Sequence, residues 1–302
     1  MQWFLFSLIN PVLHAAANHI DKHLISKYFK SGSVGALAIF TAFFAFLALP
    51  VIWLIHPAVN SVSFSHAIIL VLNGTLALGY VIFYFYALER DEASIVAPFF
   101  EMIPVFTFIL GYFILGEVLQ TKQIIATLFI IIGSVALSLD FSSTKMRVKK
   151  AVVLLMVASS LFLAVNTVIF KFIALNEGFT TSLFWGMLGQ VILGIFLFVF
   201  VSSYRKQFIQ VTRENAPSVL GLNLLNGVIV LIGDVALNFA TLLAPVTLVF
   251  AVSSFQPFFV LVFGIALTVF FPSFGKESIE KKALLQKIAG IGVIIIGSLL
   301  LS

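Results

Sequence analysis

Two stretches of the sequence place polar residues on one helix face inside apolar surroundings. In the first stretch they recur at steps of three or four: Ser7, Asn10, His14, Asn18 and Asp21. In the second, one face collects Asn223, Asn226, Asp234, Asn238 and Thr241. Polar groups that share a face of an apolar helix tend to face a bundle interior or a wet cavity. The two faces therefore predict the walls of a polar cavity that could bind a small solute.

Polar and aromatic side chains in other apolar stretches are candidates for the same cavity. The predicted solute-binding residues are His14, Asn18, Tyr80, Tyr84, Asn166, Trp185, Gln190, Asn226, Asn238 and Gln256. An alternative stays open for each amide taken singly, because Asn and Gln in membrane helices commonly hydrogen-bond a neighbouring helix. For Trp185 the alternative is an anchor at the membrane interface.

Glu101 and Asp234 are carboxylates inside apolar stretches, each near the predicted middle of a bilayer core about 30 Å thick. A carboxylate in such surroundings could take up a proton, or bind a cationic group, and couple this to solute movement. For Asp234 the alternative is a structural ion pair with Lys171. No cation within the membrane is evident for Glu101 from the sequence.

Other kinds of site find little support. The chain has no cysteine, which excludes disulfides, thiolate metal ligands and a thiol nucleophile. His19 and His23 stand one helical turn apart, but no matching ligand set occurs elsewhere, so a solvated helix end is favoured over a metal site. Zinc-protease, nucleophile-elbow and Walker A signatures are absent. We therefore expect no enzyme, no metal and no cofactor, and no nucleic-acid partner, because the basic residues are scattered among short links.

The elements that carry these residues are apolar segments of membrane-spanning length. Of the 302 residues, 61% are hydrophobic and only 10% charged, against roughly 25% charged in soluble domains. A membrane helix needs roughly 20 mostly apolar residues. Ten segments qualify: 2–20, 35–55, 66–88, 93–115, 122–140, 151–173, 181–201, 217–240, 244–271 and 285–301. The sequence predicts an all-α polytopic membrane protein of ten transmembrane helices, the first segment being a membrane helix rather than a cleaved signal peptide.

Short matches between the two halves indicate an internal repeat. The matching windows are 13–18 with 161–166, 104–111 with 257–264, and 130–134 with 294–298. They fall at equivalent places in segments 1 and 6, 4 and 9, and 5 and 10. Because each half has five segments, the halves must be oppositely oriented, an arrangement that places a site between them. We expect two inverted five-helix repeats around a central cavity, residues 1–140 and 151–302, joined near residues 141–150.

The basic residues predict the orientation. Fifteen Lys and Arg residues fall in the odd-numbered links between segments, and only Lys122 and Lys171 fall in or beside the even-numbered links. By the positive-inside rule the odd-numbered links are cytoplasmic, which puts both termini outside. The expected location is a plasma or inner membrane, crossed many times.

Prolines occupy related places in the two halves. Pro98 and Pro104 interrupt the fourth segment, and Pro245 and Pro257 bracket the start of the ninth. A proline inside a helix frees a carbonyl group and bends the axis. The prolines therefore predict hinges, with shaping of a static cavity as the alternative.

Several of these motifs together resemble the EamA-type branch of the drug/metabolite transporter superfamily. The resemblance is carried by residues 86–98, by Pro104-Val-Phe, by Leu115-Gly-Glu117 and by Ile130-Ile-Ile-Gly-Ser134. It implies a ten-helix basket with a cavity lined by segments 1–4 and 6–9. The second half departs from the pattern, because it has Val269-Phe-Phe-Pro272 where the Leu-Gly-Glu exit is expected. The predicted outer location of the termini also differs from the usual picture of the family.

These observations favour a secondary transporter or facilitator for a small polar or amphipathic metabolite, amino-acid-like or drug-like, that works by alternating access with proton coupling as an option. The alternatives are a flippase for a lipid-linked substrate and a non-transporting membrane scaffold. The expected partners are the lipid bilayer and a small-molecule substrate, and a homodimer is possible.

Overall fold

The computed structural model describes residues 2–27, 34–90, 96–138, 149–214, 216–270 and 281–301. Within these residues the chain is helical, without a strand. The α-helices in chain order are α1 Gln2–Lys27, α2 Val34–Ile55, α3 Phe64–Leu88, α4 Ile103–Leu110, α5 Thr121–Ser138, α6 Lys150–Glu177, α7 Phe179–Phe200, α8 Ser202–Glu214, α9 Ala216–Leu243, α10 Val246–Ser253, α11 Gln256–Phe270 and α12 Lys281–Leu301. Most of the predicted join near 141–150 and the link at 271–280 lie outside the described residues.

The predicted fourth and ninth segments are not continuous α-helices. A 3-10 helix, Ala97–Met102, precedes α4, and a single π-helical turn, Gly111–Leu115, follows it. The ninth segment divides into α10 and α11 between Ser253 and Gln256. Pro104 lies in the first turn of α4 and Pro257 in that of α11, where a proline cannot donate the backbone hydrogen bond that would continue a preceding helix.

The polar link after the seventh predicted segment forms a helix of its own, α8. Its inner face is anchored, because Phe208 and Val211 pack against Leu24, Phe40 and Val219. Polar contacts add to this: Gly35 N–H donates to Oε1 of Gln207 at 3.1 Å, and the Tyr204 and Tyr86 hydroxyl groups lie 2.6 Å apart. A helix that buries Phe208 and Val211 on one face and carries mainly polar residues elsewhere is typical of one that lies on a surface rather than one that spans a membrane.

Many helices of the described part are long and apolar enough to cross a bilayer. Six stretches qualify by length and composition: Val34–Ile55, Phe64–Leu88, Lys150–Glu177, Phe179–Phe200, Val219–Leu243 and Val246–Phe270. Three shorter apolar stretches accompany them: Phe99–Leu115, Thr121–Ala136 and Ile288–Leu300. The helix α1 is long enough to span as well, but it carries the polar stripe.

The helices pack in pairs that join the two halves of the sequence. The most extensive pairs are α5 with α12, α1 with α9 and α3 with α6, followed by α7 against both α2 and α3. A buried core forms where α4, α6, α9 and α10 meet, and it contains Ile103, Val168, Leu237 and Phe250. Contacts between distant parts of the chain therefore place the polar faces of α1 and α9 against each other.

Candidate functional site

The centre of the α1–α9 contact is a hydrogen-bonded pair, His14 and Asp234. Nε2 of His14 lies 2.9 Å from Oδ1 of Asp234, and Asn10 Nδ2 donates to the same oxygen at 3.3 Å. Asn10 and His14 are one helical turn apart, so both reach the same point on α9. Because a carboxylate only accepts, the His14 nitrogen that faces it carries the proton.

This pair is not sealed by packing. The His14 and Asp234 side chains retain 23% and 40% of their accessible surface. Gly233 lets the imidazole approach α9, since a Cβ atom at this position would lie 3.1 Å from Cδ2 of His14. The carboxylate thus combines a fixed partner with accessible surface, which is what exchange of a proton or a polar ligand requires.

A second hydrogen bond joins the same helices two turns further along. Asn226 Nδ2 donates to Oδ1 of Asp21 at 2.7 Å. His14 lies within range of electrostatic interaction with both Asp21 and Asp234. The antiparallel polar faces therefore meet in register over several turns, with one imidazole between two carboxylates.

Two tyrosines of α3 complete this group. The Tyr80 hydroxyl lies within range of electrostatic interaction with Asp234, and the Tyr84 hydroxyl with Asp21. The Tyr84 ring packs against Phe100 with ring centroids 5.1 Å apart. The structure thus brings five of the predicted site residues to one region between α1, α3 and α9: His14, Tyr80, Tyr84, Asn226 and Asp234.

Other predicted residues have separate surroundings. Asn166 Nδ2 donates to the backbone oxygen of Asn73 at 2.9 Å, and Asn73 returns a bond of 3.0 Å to the Asn166 oxygen. This exchange holds α3 against α6 and has the form of helix–helix hydrogen bonding. Trp185 Nε1 donates to the Val59 oxygen at 2.8 Å, in the 3-10 turn Pro57–Ser61 before α3. The remaining four are half-buried, with no side-chain hydrogen bond recorded in the described part of the chain: Asn18, Gln190, Asn238 and Gln256.

Glu101 lies in the 3-10 stretch before α4, where its side chain is buried. Ser134 of α5 donates to Oε1 of Glu101 at 2.5 Å, and Ser254, between α10 and α11, also interacts with this carboxylate. Glu101 therefore sits where the broken fourth and ninth segments meet α5, and its described partners are these serines rather than His14 or Asp234.

The alternative ion pair between Asp234 and Lys171 is wrong. Lys171 Nζ instead lies 2.6 Å from Oε1 of Glu117 and donates to the Ala244 oxygen at 2.8 Å. Oε2 of Glu117 accepts the backbone N–H of Val246 at 2.9 Å. The sequence placed Lys171 and Asp234 in the same half of the bilayer, but the turn from α9 to α10 brings its free backbone groups to Lys171 and Glu117. The Leu115-Gly-Glu117 motif contains this acidic partner of Lys171 and is the signal in the sequence that points to the contact.

The paired histidines of α1 do not form a metal site with other described residues. His19 Nε2 donates to the Val260 oxygen at 3.1 Å. Among the residues that the structure describes, no group of three or more His, Asp or Glu side chains is arranged to hold a metal ion.

An apolar cavity of about 530 Å³, wide open to the surface, lies between α1, α7 and α9 next to the polar group. Its lining residues are Phe6, Ile9, Phe179, Leu231, Ile232, Val235, Ala236 and Phe239. Phe6 lies one turn before Asn10 on α1, and Val235 follows Asp234 on α9. The apolar cavity therefore lies beside the contact between His14 and Asp234.

Comparison with known proteins gives a family for the first half and a fold for the whole chain. Residues 1–139 match the model of the EamA-like transporter family. Comparison with curated proteins finds no match. One solved crystal structure of a protein shares 16% sequence identity, covers 99% of this chain and 95% of its own, and superposes with a TM-score of 0.66. At this identity the likeness shows the fold alone.

The family match confirms the resemblance predicted from the sequence over the segment that carries its motifs. Together with the apolar helices it identifies an integral, multi-pass membrane protein. Residues 1–139, which contain His14, Tyr80, Tyr84 and Glu101, are thus similar to the EamA-like transporter family.

Proposed function

We propose that this protein is a secondary transporter or facilitator that moves a small polar or amphipathic metabolite, amino-acid-like or drug-like, across the membrane by alternating access. The observation that carries the proposal is the accessible contact of His14 and Asn10 with Asp234, which joins the first half of the chain to the second. Intramembrane ionisable groups are costly and mark substrate or ion pathways.

The proposal includes ten membrane passages arranged as two inverted repeats, residues 1–140 and 151–302. The helix pairs support it. In an inverted repeat each segment of the first half corresponds to the segment five places later, so α1 corresponds to α6 and α3 to α9. This correspondence converts the α1–α9 pair into the α6–α3 pair, and both are among the most extensive helix pairs. The pair α5–α12 maps onto itself. Its contacts are also reciprocal: Gly133 lies against Ile294, and Gly297 lies against Ile130.

Within this scheme the solute contacts His14 and Tyr80 at the α1–α3–α9 group, and the other predicted binding residues line its route. That wider set is Asn18, Tyr84, Asn166, Trp185, Gln190, Asn226, Asn238 and Gln256. Asp234 exchanges its bond with His14 for a proton or a cationic group of the solute. Glu101 is the second protonatable group, placed where the two broken segments can move against each other.

The orientation we propose has the odd-numbered links in the cytoplasm and the termini outside. Among the described residues, α8 supports this, because it follows the seventh segment and carries Arg205, Lys206 and Arg213. Excess Lys and Arg in short links marks the cytoplasmic side.

A flux assay in proteoliposomes tests the function. The wild-type protein should move at least one solute of a metabolite panel, and Asp234→Asn and Glu101→Gln should reduce this flux about tenfold or more. Gly292→Ala is the matched control, because a Cβ atom there meets open space, and it should transport normally. Absence of flux for every solute, or full flux in both carboxylate variants, would contradict the proposal.

A second candidate function, a flippase for a lipid-linked substrate, is favoured by one observation. The apolar cavity beside Asp234 could hold an acyl or isoprenoid chain while the polar group holds the head. Movement of labelled lipid carriers between the leaflets of a vesicle tests it. Val235→Phe would fill the cavity, so it should slow lipid movement strongly while leaving the flux of a small solute close to normal.

A further inference from the structure

The outward face of α8 presents a compact basic surface. Lys206, Ile209, Gln210 and Arg213 line a shallow crevice of about 370 Å³. Their spacing of three and four residues places all four on one side of the helix. All four are exposed, so Lys206 and Arg213 flank an accessible crevice on an element that Phe208 and Val211 fix from the opposite side.

The basic surface of α8 lies next to exposed apolar residues of α7. The helix α8 follows α7 after a single residue, and the last turns of α7 expose Phe196, Val199 and Phe200, three large apolar side chains suited to lipid. Arg205 Nη1 donates to the Val199 oxygen at 2.9 Å and so closes the end of α7. The basic face therefore begins where the lipid-facing surface ends, at the depth of the lipid headgroups.

We propose that Lys206 and Arg213 bind the phosphate group of an anionic lipid headgroup in the leaflet next to α8. Lys206 and Arg213 lie two helical turns, about 10 Å, apart on one face of α8, so their long side chains can reach one phosphate in the crevice between them. Basic residues at a membrane surface also attract anionic lipid. Ile209, which is 37% exposed between them, fits the apolar part of a lipid rather than a free anion. The inference goes beyond the proposed function and does not depend on it.

The test measures lipid retained by the purified protein. Nanodiscs with 30% phosphatidylglycerol in phosphatidylcholine are compared with pure phosphatidylcholine, and bound lipid is counted by native mass spectrometry after mild activation. We expect the wild-type protein to retain phosphatidylglycerol selectively. Each charge removed in Lys206→Gln and Arg213→Gln should weaken retention about fivefold, the effect of one basic residue at an anionic surface.

Matched variants make the result decisive. Lys122→Gln removes an exposed cation at the start of another helix, α5, and should leave retention unchanged. Lys206→Arg and Arg213→Lys keep the two positive charges and should retain phosphatidylglycerol like the wild-type protein. Retention that persists in the double Gln variant, or that falls equally in Lys122→Gln, overturns the proposal. Competition by millimolar glycerol 1-phosphate also overturns it, because the site would then take a soluble phosphate.

Discussion

Lys171 Nζ lies 2.6 Å from Oε1 of Glu117, and the two side chains retain only about a tenth of their accessible surface. Both also bind the turn between α9 and α10. Lys171 reaches the Ala244 oxygen at the end of α9, and Glu117 accepts the N–H of Val246 at the start of α10. Each charge therefore satisfies its partner and one free backbone group of a helix end.

Replacing Lys171 should destabilise the protein more than removal of an exposed lysine. In Lys171→Met the Glu117 carboxylate loses its partner while remaining buried, a change that costs about 3 kcal/mol or more. Thermal unfolding in detergent measures it, with Lys122→Gln as the exposed control. The double variant with Glu117→Leu should be less destabilised than the two single changes added together. An unchanged melting temperature for Lys171→Met would contradict this interpretation.

Much of the fold followed from local chemistry. Apolar runs predicted the helical segments, and the three- and four-residue spacing of Asn10 and His14 predicted a polar face on α1. The motifs near Pro104 and Glu117 predicted the family, which is confirmed for residues 1–139. These signals are visible because helix periodicity and apolar length depend on neighbours in sequence.

The partners of the charged groups could not be predicted in the same way. Sequence spacing gives the face of a helix but not the helix that it meets. A pair of Lys171 with Asp234 was therefore an open alternative, whereas the structure pairs Asp234 with His14 and Lys171 with Glu117. The helix α8 was missed because its few apolar residues are too sparse for a membrane segment. Its stability comes instead from packing of Phe208 and Val211 on α1 and α2 residues distant in sequence.

Two glycines set the distance between α5 and α12. A Cβ atom at Gly133 would lie 2.8 Å from the Gly290 oxygen, and one at Gly297 would lie 2.8 Å from the Ala126 oxygen. Because backbone atoms cannot turn away, Gly133→Ala and Gly297→Ala should force the helices apart and cost about 1–3 kcal/mol each.

Gly292 of α12 is the natural control for Gly133→Ala and Gly297→Ala. Nothing lies within 4 Å of a Cβ atom there, so Gly292→Ala should be neutral or slightly stabilising, since alanine favours a helix over glycine. Melting temperatures of the three variants in one detergent make the comparison. Equal effects at all three positions would show that helix propensity, rather than close packing, governs this pair.

Trp185 should contribute to stability through its hydrogen bond to the Val59 oxygen. Trp185→Phe keeps an aromatic ring but leaves this oxygen without its indole donor, which should cost about 1 kcal/mol. Trp53→Phe is the matched control, because Trp53 is 45% exposed and should tolerate the change. Amide exchange should also quicken in residues 57–61 of the Trp185 variant only. Protection that is unchanged there would mean that the bond does not hold this turn.

The contact between His14 and Asp234 should appear as an energetic coupling between α1 and α9. His14→Phe removes the imidazole donor and Asp234→Asn removes the negative charge of the 2.9 Å contact, so the double variant should be more stable than the two single effects added together predict, by about 1 kcal/mol. Because Asp234 is partly exposed, unfolding is measured in several salt concentrations, and the coupling should weaken as salt screens the charges. Asp234→Asn combined with Trp185→Phe serves as the reference pair, because Trp185 bonds a different part of the chain, and its effects should add. If the effects of the His14 and Asp234 changes were additive, as in the reference pair, the contact would contribute nothing to the joining of the two halves. The proposal that a solute or a proton replaces His14 as the partner of Asp234 would then lose its basis.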